Sequence, residues 1–248
     1  MTYQFTVSPD FSPDHLSGWY IFNTWLQRQT GENIHLEMYD DFATQRQAIK
    51  EDKIDLIYAN PFDATMLVRE KGFLPLVKAS DESDEAVIAV SDSSEITSVE
   101  ELKPGVKVAF TDDPDVRLMG MIMLEPADLD STNIIPVPSD TYILVAKKLI
   151  QQKADAGIFL AEAFDDLSSM IKKQLKVLVR SQIDVIHHDL MIGPRLQHKK
   201  EEIQQRLIEM NNDDKAKGVL KSLGFSAWEK VSDEEMEFMI DLMDTLAT

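Results

Sequence analysis

The stretch Ala48-Ile49-Lys50-Glu51-Asp52-Lys53-Ile54-Asp55-Leu56-Ile57-Tyr58-Ala59-Asn60-Pro61-Phe62-Asp63, running on to Gly72, decides the fold. It reads as a helix end, a tight turn, a buried strand and the start of another helix. Ile54, Leu56, Ile57 and Tyr58 form a short, mostly apolar run flanked by charge, which suits a strand covered on both faces. Asn60 offers an N-cap oxygen, and Pro61 a first helical residue whose φ is already set. A helix beginning at the carboxyl end of a buried parallel strand turns its free N–H groups into a crevice. Such geometry suits ligand binding better than covalent chemistry.

The phrase occurs twice. Lys53-Ile54-Asp55 is matched by Lys153-Ala154-Asp155, followed by Ala156-Gly157-Ile158-Phe159-Leu160-Ala161-Glu162. In each copy an apolar helical stretch leads through polar residues into K-x-D, a strand and another helix. Repetition of a strand-to-helix unit within 248 residues points to two α/β lobes. The expected division is 1–84 plus 186–248 for lobe one and 85–185 for lobe two.

Composition narrows the partners. A formal charge of −19 leaves no basic stripe to neutralise phosphates or meet an anionic bilayer, which argues against nucleic acid and membrane surfaces. The absence of cysteine excludes disulfides, thiol catalysis and thiolate metal sites. No apolar run reaches a transmembrane length. Residues 3–7 already alternate like a strand, without a basic n-region or an apolar h-region. The chain as written is expected in the cytoplasm, or in the periplasm if an export signal has been removed.

In chain order, strands are expected at 3–7, 33–39, 54–58, 73–79, 86–90, 106–110, 133–137, 154–159 and 175–179. Helices are expected at 16–30, 41–50, 62–71, 116–124, 141–152, 162–173, 195–210, 213–223 and 233–246. Leu16, Trp19, Tyr20, Phe22 and Leu26 repeat at helical spacing and read as one core stripe. Ser98 and Glu101 stand at capping-box spacing, and Ser139 or Asp140 is the expected cap of the helix from 141. The polar run 80–85 is the first crossing between lobes, and 180–188 the return.

These residues resemble a known family. Lys53-Ile54-Asp55-Leu56-Ile57-Tyr58-Ala59-Asn60-Pro61-Phe62, then Glu70-Lys71-Gly72-Phe73-Leu74-Pro75-Leu76, is similar to the phosphate/phosphite/phosphonate substrate-binding proteins of ABC transporters. So are Val99-Glu100-Glu101-Leu102-Lys103-Pro104-Gly105-Val106-Lys107-Val108-Ala109-Phe110 and the tail Gly218-Val219-Leu220-Lys221-Ser222-Leu223-Gly224-Phe225. The resemblance covers nearly the whole chain. It implies a type II periplasmic-binding-protein fold, two α/β lobes joined by two short crossings, closing on a ligand by hinge motion. A small-molecule ligand and an ABC permease or a signalling protein are the implied partners, with no cofactor and no metal.

The sequence also departs from that family. The loop after 108–110 there carries hydroxyl residues and a glycine, of the form S-T-S-G, at a helix N-terminus suited to anions. This chain has Asp113-Pro114-Asp115-Val116-Arg117-Leu118 instead. Carboxylates facing a dianion repel it unless compensated. Arg117 is either a bidentate anion grip or a surface arginine paired with Asp113 or Asp115. The family's histidine before the lobe-two helix is replaced by Ser139-Asp140-Thr141. Glu162 matches an acidic residue that meets a ligand amino group, and His187 and His188 stand where the chain returns to lobe one. Adjacent residues of an extended segment point to opposite faces, which disfavours a two-histidine metal site.

The expected ligand contacts are therefore Phe11, Tyr58, Asn60, Phe62 and His187 from lobe one, with Thr111, Asp115, Arg117, Asp140, Thr141 and Glu162 from lobe two. The leading reading is a solute-binding protein that clamps a small polar ligand and takes simple phosphonate poorly. The alternatives are a ligand-sensing or interaction module without a transport role, and a cytoplasmic enzyme on the same fold. Against an enzyme, the sequence shows no nucleophile–base pairing and no Gly-rich phosphate loop.

Overall fold

The computed structural model describes residues 2–80 and 82–246. Residue 81, part of the expected first crossing, lies outside the described residues. Up to the first crossing the elements are β1 (Thr2–Val7), α1 (Leu16–Thr30), β2 (Asn33–Leu36), α2 (Phe42–Lys50), β3 (Leu56–Ala59) and β4 (Leu74–Ala79). There follow β5 (Ala86–Ser91), β6 (Lys107–Phe110), α3 (Pro114–Met123), β7 (Ile135–Pro138), α4 (Tyr142–Ile150), β8 (Ala156–Leu160), α5 (Ala161–Asp165), α6 (Ser169–Lys172) and β9 (Leu175–Arg180). The chain ends with β10 (Asp189–Ile192), α7 (Lys200–Ile208), α8 (Asp214–Leu223), β11 (Trp228–Lys230) and α9 (Asp233–Leu246).

Two compact units result. One is built from Met1–Glu82 with His187–Asp244, the other from Ser83–Ile186. The first holds a six-stranded sheet in the order β11-β4-β10-β3-β1-β2, the second a five-stranded sheet in the order β7-β6-β8-β5-β9. Both sheets are mixed, which corrects the expectation of parallel sheets. β1 runs parallel to β2 and β3, but β10 is antiparallel to β3 and β4. Likewise β6 runs parallel to β7 and β8, while β5 is antiparallel to β8 and β9.

The repeated K-x-D phrase now has a physical explanation. α2 and α4 both end two residues before a left-handed turn residue, with φ of 56° at Asp52 and 55° at Gln152. That turn lets the Lys53 N–H reach back to the Ala48 carbonyl and the Lys153 N–H to that of Lys148. The aspartate that follows ties the next strand to its parallel neighbour. Asp55 N–H donates to the Gln4 carbonyl at 2.8 Å, and Asp55 Oδ2 accepts the Gln4 N–H at 2.9 Å. Asp155 does the same with Lys107, at 2.8 Å in both directions. Each aspartate thus supplies the first rung of a parallel pair and sets its register.

The core of the first unit packs α1, α7 and α8 on one face of its sheet, around Phe5, Trp19, Phe22, Leu26, Leu190 and Leu220. Trp19 meets Phe5, Phe22 and Phe225 edge-on at 5.8–6.1 Å between ring centroids. Each such fully buried side chain contributes on the order of 1.5–3 kcal/mol. Gly18 permits this packing, because a Cβ there would stand 2.0 Å from the Ser222 carbonyl oxygen on α8. Leu16 and Tyr20 are exceptions to the expected stripe: they are 42% and 51% exposed. In the second unit α4, α5 and β8 enclose Val145, Leu149, Phe159 and Phe164.

Other local expectations are corrected. The helix expected over 62–71 is a 3-10 turn (Pro61–Asp63) followed by a π turn (Met66–Glu70). The helix expected over 162–173 breaks into α5 and α6, where Ser168 interrupts it to cap the second piece through Ile171 N–H. Glu101 reaches back to Thr97 N–H at 2.7 Å as well as to the Ser98 backbone. Thr141, not Ser139 or Asp140, caps α4 by accepting the Leu144 N–H at 3.2 Å. β10 and β11 were not expected at all.

Candidate functional site

In the first unit, β1 and β3 run out at Val7 and Ala59, and antiparallel β10 begins opposite them, with Asp189 paired to Ala59. One rim of the sheet therefore collects Ser8, Asp10, Asn60, His187 and His188. The carboxyl ends of the strands in an α/β sheet are where ligands gather. Asn60 is buried and uses both ends of its amide. Its Oδ1 accepts the Phe62 N–H at 2.9 Å, capping the turn that Pro61 starts, and its Nδ2 donates to Asp10 Oδ2 at 2.7 Å. His188 Nε2 lies 3.0 Å from the same oxygen, with its ring stacked on Tyr58 at 5.5 Å and 25°. Burial pushes the Asp10 carboxyl up, but the His188 charge and the hydrogen bonds from His188 and Asn60 outweigh it and hold it below its ordinary value.

His187 faces the other way, as adjacent residues of an extended segment must. Its Nδ1 lies 3.2 Å from Asp189 Oδ1, and both side chains are almost wholly buried. Burial raises the Asp189 carboxyl above its ordinary value, against the opposing pull of His187, His188 and Lys78. The two histidines thus serve two different carboxylates. Phe62 is 41% exposed, and the Arg46 guanidinium lies 5.0 Å from the Phe62 and Phe42 rings while its Nε donates to buried Asp63. Phe11 is half-buried against the core of this unit.

The second unit has an equivalent rim. Parallel strands β6, β7 and β8 deliver Thr111, Asp140 with Thr141, and Glu162 to their carboxyl ends. Asp113 is the N-cap residue of α3, Pro114 its first residue, and Asp115 lies in its first turn. Asp113 and Asp115 are buried, at 5% and 0% exposure. The Tyr142 hydroxyl donates to Asp113 Oδ2 at 2.7 Å. Burial first, then the Asp113 charge, pushes the Tyr142 phenol well above its usual range. Arg117 is exposed, with its guanidinium 4.6 Å above the Phe110 ring. Asp140 and Glu162 are exposed, and Thr141 is engaged in capping α4.

The expected residues Tyr58, Asn60 and His187 thus share one rim, with Phe11 and Phe62 on the loops beside it. Thr111 and Asp115 lie together on the other rim, joined there by Asp113 and Tyr142. Sequence reasoning had left out Asp10, Asp189 and Tyr142. The signal for Asp10 was available, since Ser8-Pro9-Asp10 follows β1 as Asn60 follows β3.

A family model described as ABC transporter, phosphonate, periplasmic substrate-binding protein matches residues 5–236. The chain belongs to this family. Members are substrate-binding proteins of ABC transporters, not enzymes, and a permease is the general partner they imply. A search of curated proteins gives no match. Among solved structures, PhnD1 from Prochlorococcus marinus in complex with methylphosphonate superposes with a TM-score of 0.83 at 12% identity, covering 99% of this chain and 98% of that one. A binding-protein component of an ABC phosphonate transporter from Pseudomonas aeruginosa gives 0.77 at 17% identity over 100% and 89%. The periplasmic aliphatic sulphonate-binding protein SsuA from Escherichia coli gives 0.66 at 15% over 98% and 87%. At these identities the likeness shows the fold, which is the type II periplasmic-binding-protein fold. No helix among the described residues is long and apolar enough to cross a membrane.

Proposed function

We propose that this protein captures a small polar solute for an ABC permease, and that the solute carries a positive charge. The export that a periplasmic role requires is part of the same reading. One observation carries the choice of ligand: the first turn of α3 is occupied by two buried carboxylates of the protein itself. A helix N-terminus attracts anions through its free N–H groups and dipole. Here Asp113 and Asp115 already fill that role, so a phosphonate dianion arriving at the same place meets like charge. An ammonium or amidinium group gains from those carboxylates, and from Glu162 at the end of β8. In the first unit Asp10, its carboxyl held below the ordinary value, and the amide of Asn60 give the carboxyl-end rim a polar character of its own.

A thermal-shift panel of amino acids, polyamines, alkylphosphonates and oxyanions tests this. A ligand at a hundred times its Kd stabilises the folded state by about 2.7 kcal/mol, which is a clear rise in Tm. The expected responders are amine-bearing or zwitterionic solutes, with D115N reducing their effect. A response confined to phosphonates or oxyanions would overturn the proposed ligand class.

A further inference from the structure

The outer face of α1 in the first unit carries a feature that solute capture does not use. Between α1 and the α7–α8 pair lies a groove of about 800 Å³, none of whose lining residues belongs to the carboxyl-end rim. Its apolar part is made by Tyr20, Ile21, Trp25 and Val219, with Tyr20 51% and Ile21 48% exposed. Trp25 is held by stacking on buried Phe22 at 6.0 Å between centroids, so this wall is rigid. Large apolar side chains left open beside one another on a soluble protein mark a binding surface more often than scattered single ones do.

The charges decide the occupant. Arg28, Arg206 and Lys215 line the groove, and among the described residues none of these three side chains has a hydrogen bond or an ion pair within 4.0 Å. The two carboxylates beside them are already engaged. Asp213 caps α8 by accepting the Lys215 and Ala216 N–H groups, and Glu209 accepts from the Gln205 amide. Glu202, the acid nearest Arg206 along α7, is held by Lys199 at 2.9 Å. In a chain with 44 acidic and 25 basic residues, three cations against two carboxylates around one aromatic groove are a local excess of positive charge. The volume falls within the 300–1,000 Å³ typical of small-molecule sites.

From this juxtaposition we propose that the α1/α7/α8 groove binds an amphiphilic organic anion, with its aliphatic or aromatic body against Trp25, Tyr20 and Ile21 and its carboxylate or sulfonate between Arg28 and Arg206. Guanidinium groups pair with such planar or tripodal oxyanions through two hydrogen bonds at once, which fixes the head group while the apolar wall holds the body. A second copy of the chain is disfavoured as occupant, because two molecules of charge −19 repel.

The test uses the whole protein and two fluorescent probes of similar apolar body. These are 8-anilinonaphthalene-1-sulfonate, an anion, and N-phenyl-1-naphthylamine, which is neutral. Wild type is expected to bind the sulfonate saturably at one site, about tenfold or more tighter than the neutral probe, with energy transfer from tryptophan that W25F lowers but, with Trp19 and Trp228 nearby, does not abolish. R28Q/R206Q is expected to remove that preference while circular dichroism and Tm stay those of wild type. Displacement of the sulfonate by a medium-chain fatty acid extends the result to carboxylates. Equal affinity for the two probes, or a preference unchanged in R28Q/R206Q, overturns the proposal, as does non-saturable fluorescence. None of these residues belongs to either carboxyl-end rim, so loss of this site and failure of the solute-capture reading are separately visible.

Discussion

Replacing Asp55 by alanine removes the acceptor that holds the Gln4 N–H at 2.9 Å and the partner 3.3 Å from Arg195 Nη1. The Asp55 side chain is 2% exposed and that of Arg195 47%, so water already weakens the ion pair and the hydrogen bond carries most of the loss. A hydrogen bond to a charged acceptor contributes about 1.5–3 kcal/mol. Burial holds the Asp55 carboxyl above its ordinary value despite the Gln4 N–H and the Arg195 charge, so desolvation offsets part of that contribution. The expected cost of D55A is about 2 kcal/mol, and D55N, which keeps an acceptor and sheds the buried charge, costs less. Asp155 makes the same bond at an exposed position, so D155A is expected to cost clearly less than D55A. Urea denaturation separates the two units, because all three tryptophans, Trp19, Trp25 and Trp228, lie in the first. D55A is expected to move the tryptophan-fluorescence midpoint to lower urea with an unchanged slope, and D155A to leave it in place. Equal shifts for both variants, or no shift for D55A, would refute the claim that this aspartate pins the parallel pair.

Three further outcomes are expected. G18A drives a methyl group onto the Ser222 carbonyl and should destabilise the first unit by about 2–3 kcal/mol, read as a lower fluorescence-detected midpoint. Y142F removes a hydrogen bond to buried Asp113 and should cost about 1–2 kcal/mol by circular-dichroism melting. Asp10 and Asp189 should show opposite pH signatures. The folded-state pKa of Asp10 is lowered, so its contribution to stability is present above the ordinary carboxylate range and lost as pH falls through the folded value. That of Asp189 is raised, so its stabilising effect is complete in acid and declines as pH rises through the folded value. The stability deficit of D10N relative to wild type should therefore shrink on acidification, whereas the stability of D189N relative to wild type should grow as pH rises.

The architecture was legible because its signals are local and repeated. The K-x-D phrase, the alternating residues of β1 and the heptad-like stripe of α1 each declare themselves within a dozen positions. β10 did not, because Asp-Leu-Met-Ile is four residues long and draws its place from β3 and β4, which lie far away in sequence. β11 is three residues on a sheet edge, too short for a period to show. The turn at 61–70 winds as 3-10 and then π, a tertiary outcome that residue spacing does not encode. At the candidate site, the residues on strand ends and helix caps followed from local chemistry. Asp189 and Tyr142 matter through partners on other elements, and no local pattern marks them.

The central claim is that the first turn of α3 turns anions away because Asp113 and Asp115 occupy it. Calorimetric titration of wild type and D113N/D115N with methylphosphonate is the most direct measurement. The account predicts no saturable heat for wild type and measurable binding once both charges are removed. Micromolar or tighter affinity of the wild-type protein for methylphosphonate would contradict it.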